Sequence, residues 1–476
     1  MKGVGRSEWP GSDDRQDNIT CLERGATLRP CLDASRSGYT ISVSAGDKRS
    51  MSAQKANNVR NKVSDLQAKL SHAAKQSLCR RFGALYDKIY RKDVLYEAWK
   101  CVRANKGAPG VDKQDCDYIE TVIGVERFLD DICEELRQYR YQPQPVLRCY
   151  IDKPGRSAKR PLGIPVIKDR VIQMATKLVI EPIFETNFLR CSYGFRPGRS
   201  AHQAIEHLRR MITFKHYGVI VDADIKGCFD HICHKLLMKL LRKRISDPYV
   251  LRLIQSWLEA GVMEDGKYSE TKGWGTPQGG VISPLLANVY LHSFDKMFHM
   301  SGIPGKLVRY CDDFVILVRG NGKSVLEQVR QMLSRLTLEL NPAKTRIVKA
   351  ENGFDFLGMH FRLRPVRKKT SWLAKSCRIW PSDMSLVRIK QHIREVIGRR
   401  YSLSLEGMVK ELNPVIRGWN NYHTVYGSDR KRRKKLNWFV HHQLRIFLKR
   451  KYNDQSRGYR RVSNSFADRL GLYQFG

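Results

Sequence analysis

Acidic residues in two short segments have the types and spacing that phosphate chemistry needs. In "VIVDADIKG", Asp222 and Asp224 end an apolar run, and side chains two residues apart on a strand share one face. In "RYCDDFVIL", Asp312 and Asp313 are adjacent between two apolar runs. Because Asp favours turns over strands, this second segment predicts a tight hairpin with both carboxylates at its bend.

Carboxylates on neighbouring strands of one sheet would form a hard, all-oxygen cluster of negative charge. A lone Asp-Asp turn is ordinary hairpin chemistry, but here a second acidic strand and a glycine-rich loop lie in order around it. Such a cluster suits Mg²⁺ that also binds substrate phosphates, with Mn²⁺ as a substitute. Two ions there would activate a 3′-hydroxyl and stabilise a leaving pyrophosphate, and metal would relieve the repulsion between Asp312 and Asp313.

The segments around these aspartates predict the sheet that positions them. The first acidic strand is followed by the helix pattern "HKLLMKLLRKRI", and a Gly/Pro-rich loop, "KGWGTPQGG", leads into a second helix. After the hairpin come a third helix, at about 323–338, and a strand pattern in "LNPAKTRIV". This order predicts an α+β fold whose antiparallel sheet, of the split βαβ type, has helices on one face.

The bulk composition predicts a nucleic-acid partner. The 476 residues carry a formal charge of +39, and the pI is near 9.9, which is far beyond what solubility requires. No run of eighteen apolar residues occurs, so we expect no membrane-spanning helix. The twelve cysteines include no Cys-x-x-Cys pair, so we expect reduced thiols in a cytosol rather than a zinc site built on paired cysteines.

The positive charge is concentrated toward the C-terminal end. Residues 1–50 hold eight Lys and Arg against seven Asp and Glu without periodicity, which is typical of a disordered extension, and Met51 is an alternative start. Residues 362–476 hold 28 Lys and Arg against seven Asp and Glu, a net charge of +21. There "DRKRRKKLNWFVHHQLRIFLKRKY" interleaves basic clusters with aromatic residues. This run predicts phosphate contacts, with the aromatics in a small core or stacked on bases.

The order and wording of the blocks along the chain carry a family resemblance. "RYCDDFVIL" is similar to the Tyr-x-Asp-Asp box of reverse transcriptases, and "DADIKGCFD" is similar to their first catalytic motif. The remaining blocks resemble those of the reverse transcriptase/maturase proteins that bacterial group II introns encode. They are "NKGAPGVD", "KRPLGIPVIKDRVIQ", "CSYGFRPGRSAHQAI", "GTPQGGVISPLLANVYL", "NPAKTRI", "FDFLGMHF" and "NPVIRGWNNYH".

The resemblance implies roles for the residues that match the family's motifs. Asp224, Asp312 and Asp313 correspond to the catalytic carboxylates that bind Mg²⁺, with two ions expected. Asp222 is the rival of Asp224, because both lie on one face of the strand. The aromatic residue of the motif, Phe229, stands five residues after Asp224, which favours Asp224 over Asp222.

Further residues are implied to contact the nucleotide. Lys344 resembles the lysine near the leaving pyrophosphate, where it would be a general acid. Arg160 resembles the finger residue that clamps the triphosphate, and a surface salt bridge is the alternative for both side chains. Phe229 resembles a steric gate against the ribose 2′-hydroxyl. The other implied contacts are those of Ile225 and Lys226 with the triphosphate and of Gln278 with the nucleotide or template.

The resemblance also implies a right-hand polymerase, in which fingers and palm are followed by a helical thumb. Cys311 stands where Ala is commoner in this branch, and a small uncharged residue should preserve function. Nothing after the basic run resembles an endonuclease domain, so we expect an endonuclease-less member. The predicted ranges are 1–52 for the extension, 53–365 for fingers and palm, 366–428 for the thumb or maturase domain, and 429–476 for a basic nucleic-acid-binding segment.

The implied function is that of an RNA-directed DNA polymerase that copies intron RNA into cDNA and assists intron splicing and mobility. Its partners would be group II intron RNA, an RNA template with a DNA primer or DNA target, and dNTPs. A non-catalytic, RNA-binding maturase is the alternative, although it gives no reason to keep three carboxylates beside a Pro-Gln-Gly loop. An RNA-dependent RNA polymerase is a second alternative, against which the aromatic side chain of Phe229 argues.

Overall fold

The computed structural model of the chain divides into two compact units. Among the described residues, the large unit runs to His392 and the small unit runs from Ile393 to Gly476. The predicted extension, 1–52, lies outside the described residues except for 48–52, which are helical. The other predicted domain boundaries stay predictions. The structure describes residues 48–152, 159–366, 375–398, 400–424, 430–453 and 468–476.

Helices and three β-sheets make up the described part of the large unit. Its helices are α1 (Lys48–Gln76), α2 (Tyr86–Ile89), α3 (Lys92–Ala104), α4 (Cys116–Tyr118), α5 (Val125–Arg137), α6 (Ile167–Glu185), α7 (Ala201–Phe214), α8 (His234–Leu241), α9 (Pro248–Glu259), α10 (Ser283–Met300) and α11 (Gly322–Ser334). Its strands are β1 (Val146–Asp152), β2 (Lys159–Ile164), β3 (Val219–Asp224), β4 (Val262–Glu264), β5 (Lys267–Ser269), β6 (Gly305–Tyr310), β7 (Asp313–Val318), β8 (Arg346–Lys349), β9 (Phe354–Phe356), β10 (Met359–Pro365) and β11 (Lys375–Pro381).

The central sheet has the strand order β6-β7-β3-β8, and every neighbouring pair is antiparallel. Ala223 lies opposite Phe314 and Val221 opposite Ile316, so one face of the sheet is apolar and enters the main core. Asp224 lies on the other face, because side chains alternate along a strand. The predicted antiparallel α+β architecture is therefore confirmed.

Two buried helices pack in the main core of the large unit. Along α6 and α10 the buried residues occur on more than one helical stripe, as expected for helices that are covered on several sides. Tyr290 and Phe294 of α10 are fully buried. The hydroxyl of Tyr290 donates a hydrogen bond of 2.7 Å to the Leu336 carbonyl, which satisfies its one polar group. Phe294 also packs against Phe314 of β7, with ring centroids 5.3 Å apart, so α10 supports the central sheet.

Two smaller sheets complete the large unit. One has the strand order β2-β1-β4-β5, in which β1 and β4 are parallel, and it carries the predicted finger residue Arg160 on β2. The other has the order β11-β10-β9. Phe354 and Phe361 stack in this third sheet, with ring centroids 5.0 Å apart. The end of β9 and the residue that follows it, 355–357, are the part of this sheet that reaches the candidate site.

The small unit contains helices α13 (Leu405–His423) and α14 (Arg430–Lys451), and α12 (Asp383–Ile397) spans the division between the units. In α14, Phe439 and Phe447 are buried, whereas Trp438 is 57% exposed. Two aromatic residues of the basic run therefore lie in a core, as one of the two alternatives predicted, and base stacking by the exposed Trp438 stays a prediction. No helix in the described ranges is long and apolar enough to cross a membrane.

Candidate active site

The acidic cluster is centred on a direct cross-strand pair. Asp224, the last residue of β3, lies opposite Asp313, the first residue of β7. Directly opposed side chains on one sheet face are close neighbours, so the negative charge of each carboxylate acts on the other. The structure thus brings together one carboxylate from each predicted acidic segment.

The turn between β6 and β7 consists of two residues, Cys311 and Asp312. Cys311 has a φ of 60°, which L-residues adopt rarely but which two-residue hairpins require. The backbone amide of Cys311 is also tightly packed, because a Cβ added at Gly194 would lie 2.6 Å from its nitrogen. The predicted acidic hairpin is present, and it is held by the segment that contains Gly194.

The carboxyl groups of the cluster are short of positive charge. Burial, followed by the charges of Asp312 and Asp224, raises the pKa of Asp313 to about 7, and Lys344 acts in the opposite direction. Burial also raises the pKa of Asp312, to which the charge of Asp224 adds. A cluster of this kind favours the binding of protons or cations.

Lys344 is the cation that contacts the cluster. Its Nζ donates a hydrogen bond of 2.6 Å to Oδ2 of Asp224, and Nδ2 of Asn341 donates one of 3.3 Å to the same oxygen. The backbone amide of Asn341 also donates to the carbonyl of Asp224, at 2.8 Å. The turn that precedes β8 is therefore fixed to the end of β3, and it carries the ammonium group of Lys344 to the carboxylate.

Asp222 has a different partner from Asp224. It lies opposite Arg346 in the β3–β8 pair, and Nε of Arg346 donates a hydrogen bond of 2.9 Å to its Oδ2. Burial raises the pKa of Asp222, whereas the hydrogen bond from Arg346 lowers it. The two aspartates that the sequence left as rivals thus have separate environments, because only Asp224 adjoins Asp313.

A cavity of about 310 Å³ opens over the acidic face of the sheet. Its polar wall combines carboxylates with two cations, whereas Phe356 and Leu357 bring the turn after β9 to its other side. A space of this size and polarity can receive phosphate and sugar groups. The cavity is lined by Asp222, Ala223, Asp224, Asp313, Phe314, Ala343, Lys344, Arg346, Asp355, Phe356 and Leu357.

The residues that follow Asp224 face in different directions. The side chain of Ile225 is 2% exposed and lies in the core, because it alternates with Asp224, so only its backbone is available to a nucleotide. Lys226 is exposed, and its amide donates to the Glu339 carbonyl at 2.9 Å. Phe229 is half-buried, and its carbonyl accepts a hydrogen bond of 2.7 Å from Thr276 in the Pro-Gln-Gly loop.

The Pro-Gln-Gly loop rests on two neighbouring segments. Nε2 of Gln278 lies 3.2 Å from Oδ1 of Asp230, and its carbonyl accepts a hydrogen bond of 2.7 Å from Gly163 on β2. Gly279 has a φ of 126°, and a Cβ there would lie 2.6 Å from the Gly163 carbonyl, so only glycine fits. Arg160 is exposed on the same strand and does not line the cavity.

Arg309 is a site residue that the sequence analysis missed. Its fully buried guanidinium donates two hydrogen bonds to Asp295, of 2.7 and 2.5 Å, and one of 2.9 Å to the carbonyl of Cys311. Further bonds reach Asn288 and Ser192. The network holds the hairpin turn from behind. An Arg within the apolar run "KLVRYC" and an Asp within an apolar helix were the available signals.

Comparisons with protein families match two consecutive regions of the chain. Residues 151–361 match the reverse transcriptase (RNA-dependent DNA polymerase) family, and residues 386–465 match the maturase-specific domain of group II introns. The first match contains the acidic cluster, the Pro-Gln-Gly loop and Arg160. The two families imply nucleic-acid substrates that include intron RNA, as well as a dependence on divalent metal ions.

The donor atoms of the acidic cluster fit a hard divalent ion. Asp224 and Asp313 are opposed on one sheet face, and burial together with the charges of Asp312 and Asp224 raises the pKa of Asp313. Across the described residues, no three or more His, Cys, Asp or Glu side chains are grouped so that they could hold a metal ion by themselves. The pair therefore offers the first ligands, and Asp312, water and substrate oxygens are available to complete the shell.

The chain is also similar to individual proteins over much of its length. The chain is 34% identical to Protein YkfC of Escherichia coli over 65% of this chain and 90% of that protein. It is 32% identical to the group II intron-encoded protein LtrA of Lactococcus lactis over 69% of this chain, but it spans only 65% of LtrA. A 91 kDa protein in the cob intron of Schizosaccharomyces pombe is 26% identical over 78% of this chain and 54% of its own length. The chain therefore belongs to the group II intron-encoded reverse transcriptases, RNA-directed DNA polymerases with a maturase domain.

Proposed function

We propose that this chain copies its group II intron RNA into cDNA from a DNA primer or DNA target, using dNTPs and Mg²⁺, with Mn²⁺ as a substitute. We also propose that it binds the intron RNA to assist splicing and mobility. The observation that carries the proposal is the direct opposition of Asp224 and Asp313 across β3 and β7, on the wall of a cavity with too little positive charge. A binding protein without chemistry has no use for carboxylates that repel each other.

Asp224, Asp313 and Asp312 would hold the two Mg²⁺ ions expected for nucleotidyl transfer. When bound, the ions lower the pKa of the primer 3′-hydroxyl and stabilise the leaving pyrophosphate. Lys344 is 42% exposed in its side chain, so it is free to leave Asp224 when a metal ion takes over that carboxylate. Its ammonium group would then lie where it can donate a proton to the pyrophosphate.

Two elements would select and orient the nucleotide. The half-buried ring of Phe229 is tied through its backbone to the Pro-Gln-Gly loop, and a ring held this way would exclude a ribose 2′-hydroxyl. Gln278 is oriented by Asp230, so its amide would present a fixed set of hydrogen-bonding groups to the nucleotide or template. Arg160 and Lys226 are exposed cations that would bind the triphosphate.

A maturase without polymerase activity is the second candidate, and α14 is the observation that favours RNA binding. The helix begins with six consecutive basic residues, 430–435, and ends with three, 449–451. Trp438 is exposed and stacks on His442, with ring centroids 5.0 Å apart. A basic helix with an exposed aromatic pair suits phosphate contact and base stacking.

One double variant separates the two activities. Asp312→Asn/Asp313→Asn removes the metal-binding charges and keeps the side-chain volumes, so it should abolish primer extension on an RNA template with Mg²⁺. Splicing of the intron RNA should persist, since RNA recognition rests on shape and on distributed positive charge. The wild-type protein should extend the primer with dNTPs and not with rNTPs.

The matched control is Asp65→Asn/Asp265→Asn, which removes two exposed carboxylates from elsewhere in the large unit. It should retain both activities. A wild-type protein that is folded and binds primed template but makes no cDNA would leave the maturase alternative. Loss of splicing together with polymerisation in the folded Asp312/Asp313 variant would contradict the separation of the two functions.

A further inference from the structure

Asp222 and Arg346 form an ion pair on the wall of the cavity. Asp222 stands two residues before Asp224 of the acidic cluster, on the same strand. Nε of Arg346 lies 2.9 Å from Oδ2 of Asp222, and the Asp222 side chain is 16% exposed. Asp222 and Asp224 point from the same face of β3. Without Arg346, a further buried carboxylate would therefore adjoin the pair that offers the metal ligands.

The same ion pair lies at the end of the strand that leads to Lys344. Arg346 is the first residue of β8, and its pairing with Asp222 is the last in the β3–β8 ladder. Lys344 precedes it by two residues, in the turn whose other end is fixed by the hydrogen bond from the Asn341 amide to the Asp224 carbonyl. The position of Lys344 therefore depends on an anchor at each side.

The two cations of this turn are not equivalent. Lys344 has a flexible side chain and contacts Asp224, which would bind metal, whereas Arg346 has a planar guanidinium that stays charged and contacts Asp222. Asp355 also lines the cavity and adds to the negative charge around Asp222. The permanent positive charge of Arg346 thus balances the charge of Asp222. That carboxylate could bind a metal ion, but it does not adjoin Asp313.

We propose that Arg346 is a positioning residue for polymerisation. Its ion pair with Asp222 keeps that carboxylate out of the metal-binding set and holds the turn that carries Lys344 to Asp224. The inference rests on the proposed polymerase function, which it deepens. On the acidic face, Asp224 and Asp313 would bind the metal ion, whereas Asp222 would fix the position of the turn that carries Lys344.

Arg346→Gln tests the proposal through metal binding and kinetics. Mn²⁺ binding to the free protein, followed by electron paramagnetic resonance, should show an additional weak site, because the Asp222 carboxylate is released. In primer extension with Mg²⁺, kcat should fall about tenfold while KM for dNTP changes less than about twofold, since the defect is one of positioning. Lys349→Gln is the matched control, because Lys349 is exposed on the same strand and lies opposite Val219.

A second substitution distinguishes positioning from a structural role. Asp222→Asn/Arg346→Gln removes both charges, so it should abolish the additional Mn²⁺ site and recover kcat to within about threefold of the wild type. Arg346→Lys, which retains the positive charge, should also bind Mn²⁺ as the wild type does, even if the Gln variant does not fold.

Two results would overturn the proposal. One is wild-type Mn²⁺ binding and kcat in a folded Arg346→Gln protein. The other is a double variant as impaired as the single one, which would mean that Arg346 acts on the nucleic acid rather than through Asp222. If the wild-type protein makes no cDNA at all, the proposed function fails, and the Mn²⁺ measurements still decide the role of Arg346.

Discussion

Two charged clusters meet at the Cys311–Asp312 turn, and they differ in how their charges are balanced. Behind the turn, Arg309 and Asp295 are both fully buried, and the guanidinium makes hydrogen bonds to four different residues. In front of it, Asp224 and Asp313 share one face of the sheet with Lys344 as the contacting cation. We call the rear cluster closed, because its charges are paired within the protein. We call the front cluster open, because its carboxylates have too few cationic partners.

The difference separates structural charge from functional charge. A buried ion pair with all its hydrogen bonds satisfied offers nothing to a ligand, and it fixes the backbone that it contacts. A group of carboxylates without enough counter-charge is unfavourable for the fold and is retained where a cation is needed. The hairpin lies between the two clusters. The closed cluster holds Cys311, and so it fixes the turn that leads to Asp313 in the open cluster.

The largest expected effect on stability comes from opening the closed cluster. Arg309→Met leaves Asp295 buried without its partner, so the free energy of unfolding should fall by about 3–5 kcal/mol. Urea denaturation followed by circular dichroism measures this loss. Arg330→Met is the matched control, because Arg330 pairs with Glu327 on the surface and its removal should cost less than about 1 kcal/mol. Equal losses in the two variants would mean that the buried network does not hold the turn.

An intermediate effect is expected from pH, through His292 on the closed side. Both ring nitrogens are buried without a hydrogen-bond partner in the described structure, and burial lowers the pKa of His292 to about 4. As the pH falls, His292 is therefore protonated in the unfolded chain before it is protonated in the folded protein. Its contribution to the free energy of unfolding is complete above pH 6.5 and is lost as the pH falls toward 4. His292→Phe should remove up to about 3 kcal/mol of this acid sensitivity.

The control for the pH experiment is His299→Phe, at the exposed end of the same helix. Unfolding free energies of both variants and the wild type are to be compared between pH 7 and pH 4. An unchanged slope in His292→Phe would show that this histidine is not kept neutral by the fold.

The sequence predicted the open cluster far better than the closed one. Alternation along "VIVDAD" and the turn preference of "CDD" were sufficient to predict an acidic face and a hairpin, because both are local properties. The partners of Arg309 and Arg346 could not be predicted, since Arg346 and Asp222 are 124 residues apart and only the strand register brings them together. Ile225 was predicted to contact the nucleotide from motif position alone, and its side chain is in the core.

The most direct test of the account compares one charge removal in each cluster. Asp313→Asn and Asp295→Asn are to be unfolded at pH 8, in EDTA and in Mg²⁺. In EDTA, Asp313→Asn should be more stable than the wild type by up to about 1 kcal/mol, because the raised pKa of Asp313 makes its ionisation above pH 7 unfavourable to the fold, while solvent screens this exposed residue. Mg²⁺ should stabilise the wild type and not this variant. Asp295→Asn should be less stable than the wild type in both solutions. A wild type that is more stable than Asp313→Asn in EDTA, or that gains nothing from Mg²⁺, would contradict the claim that the front cluster is held open for a metal ion.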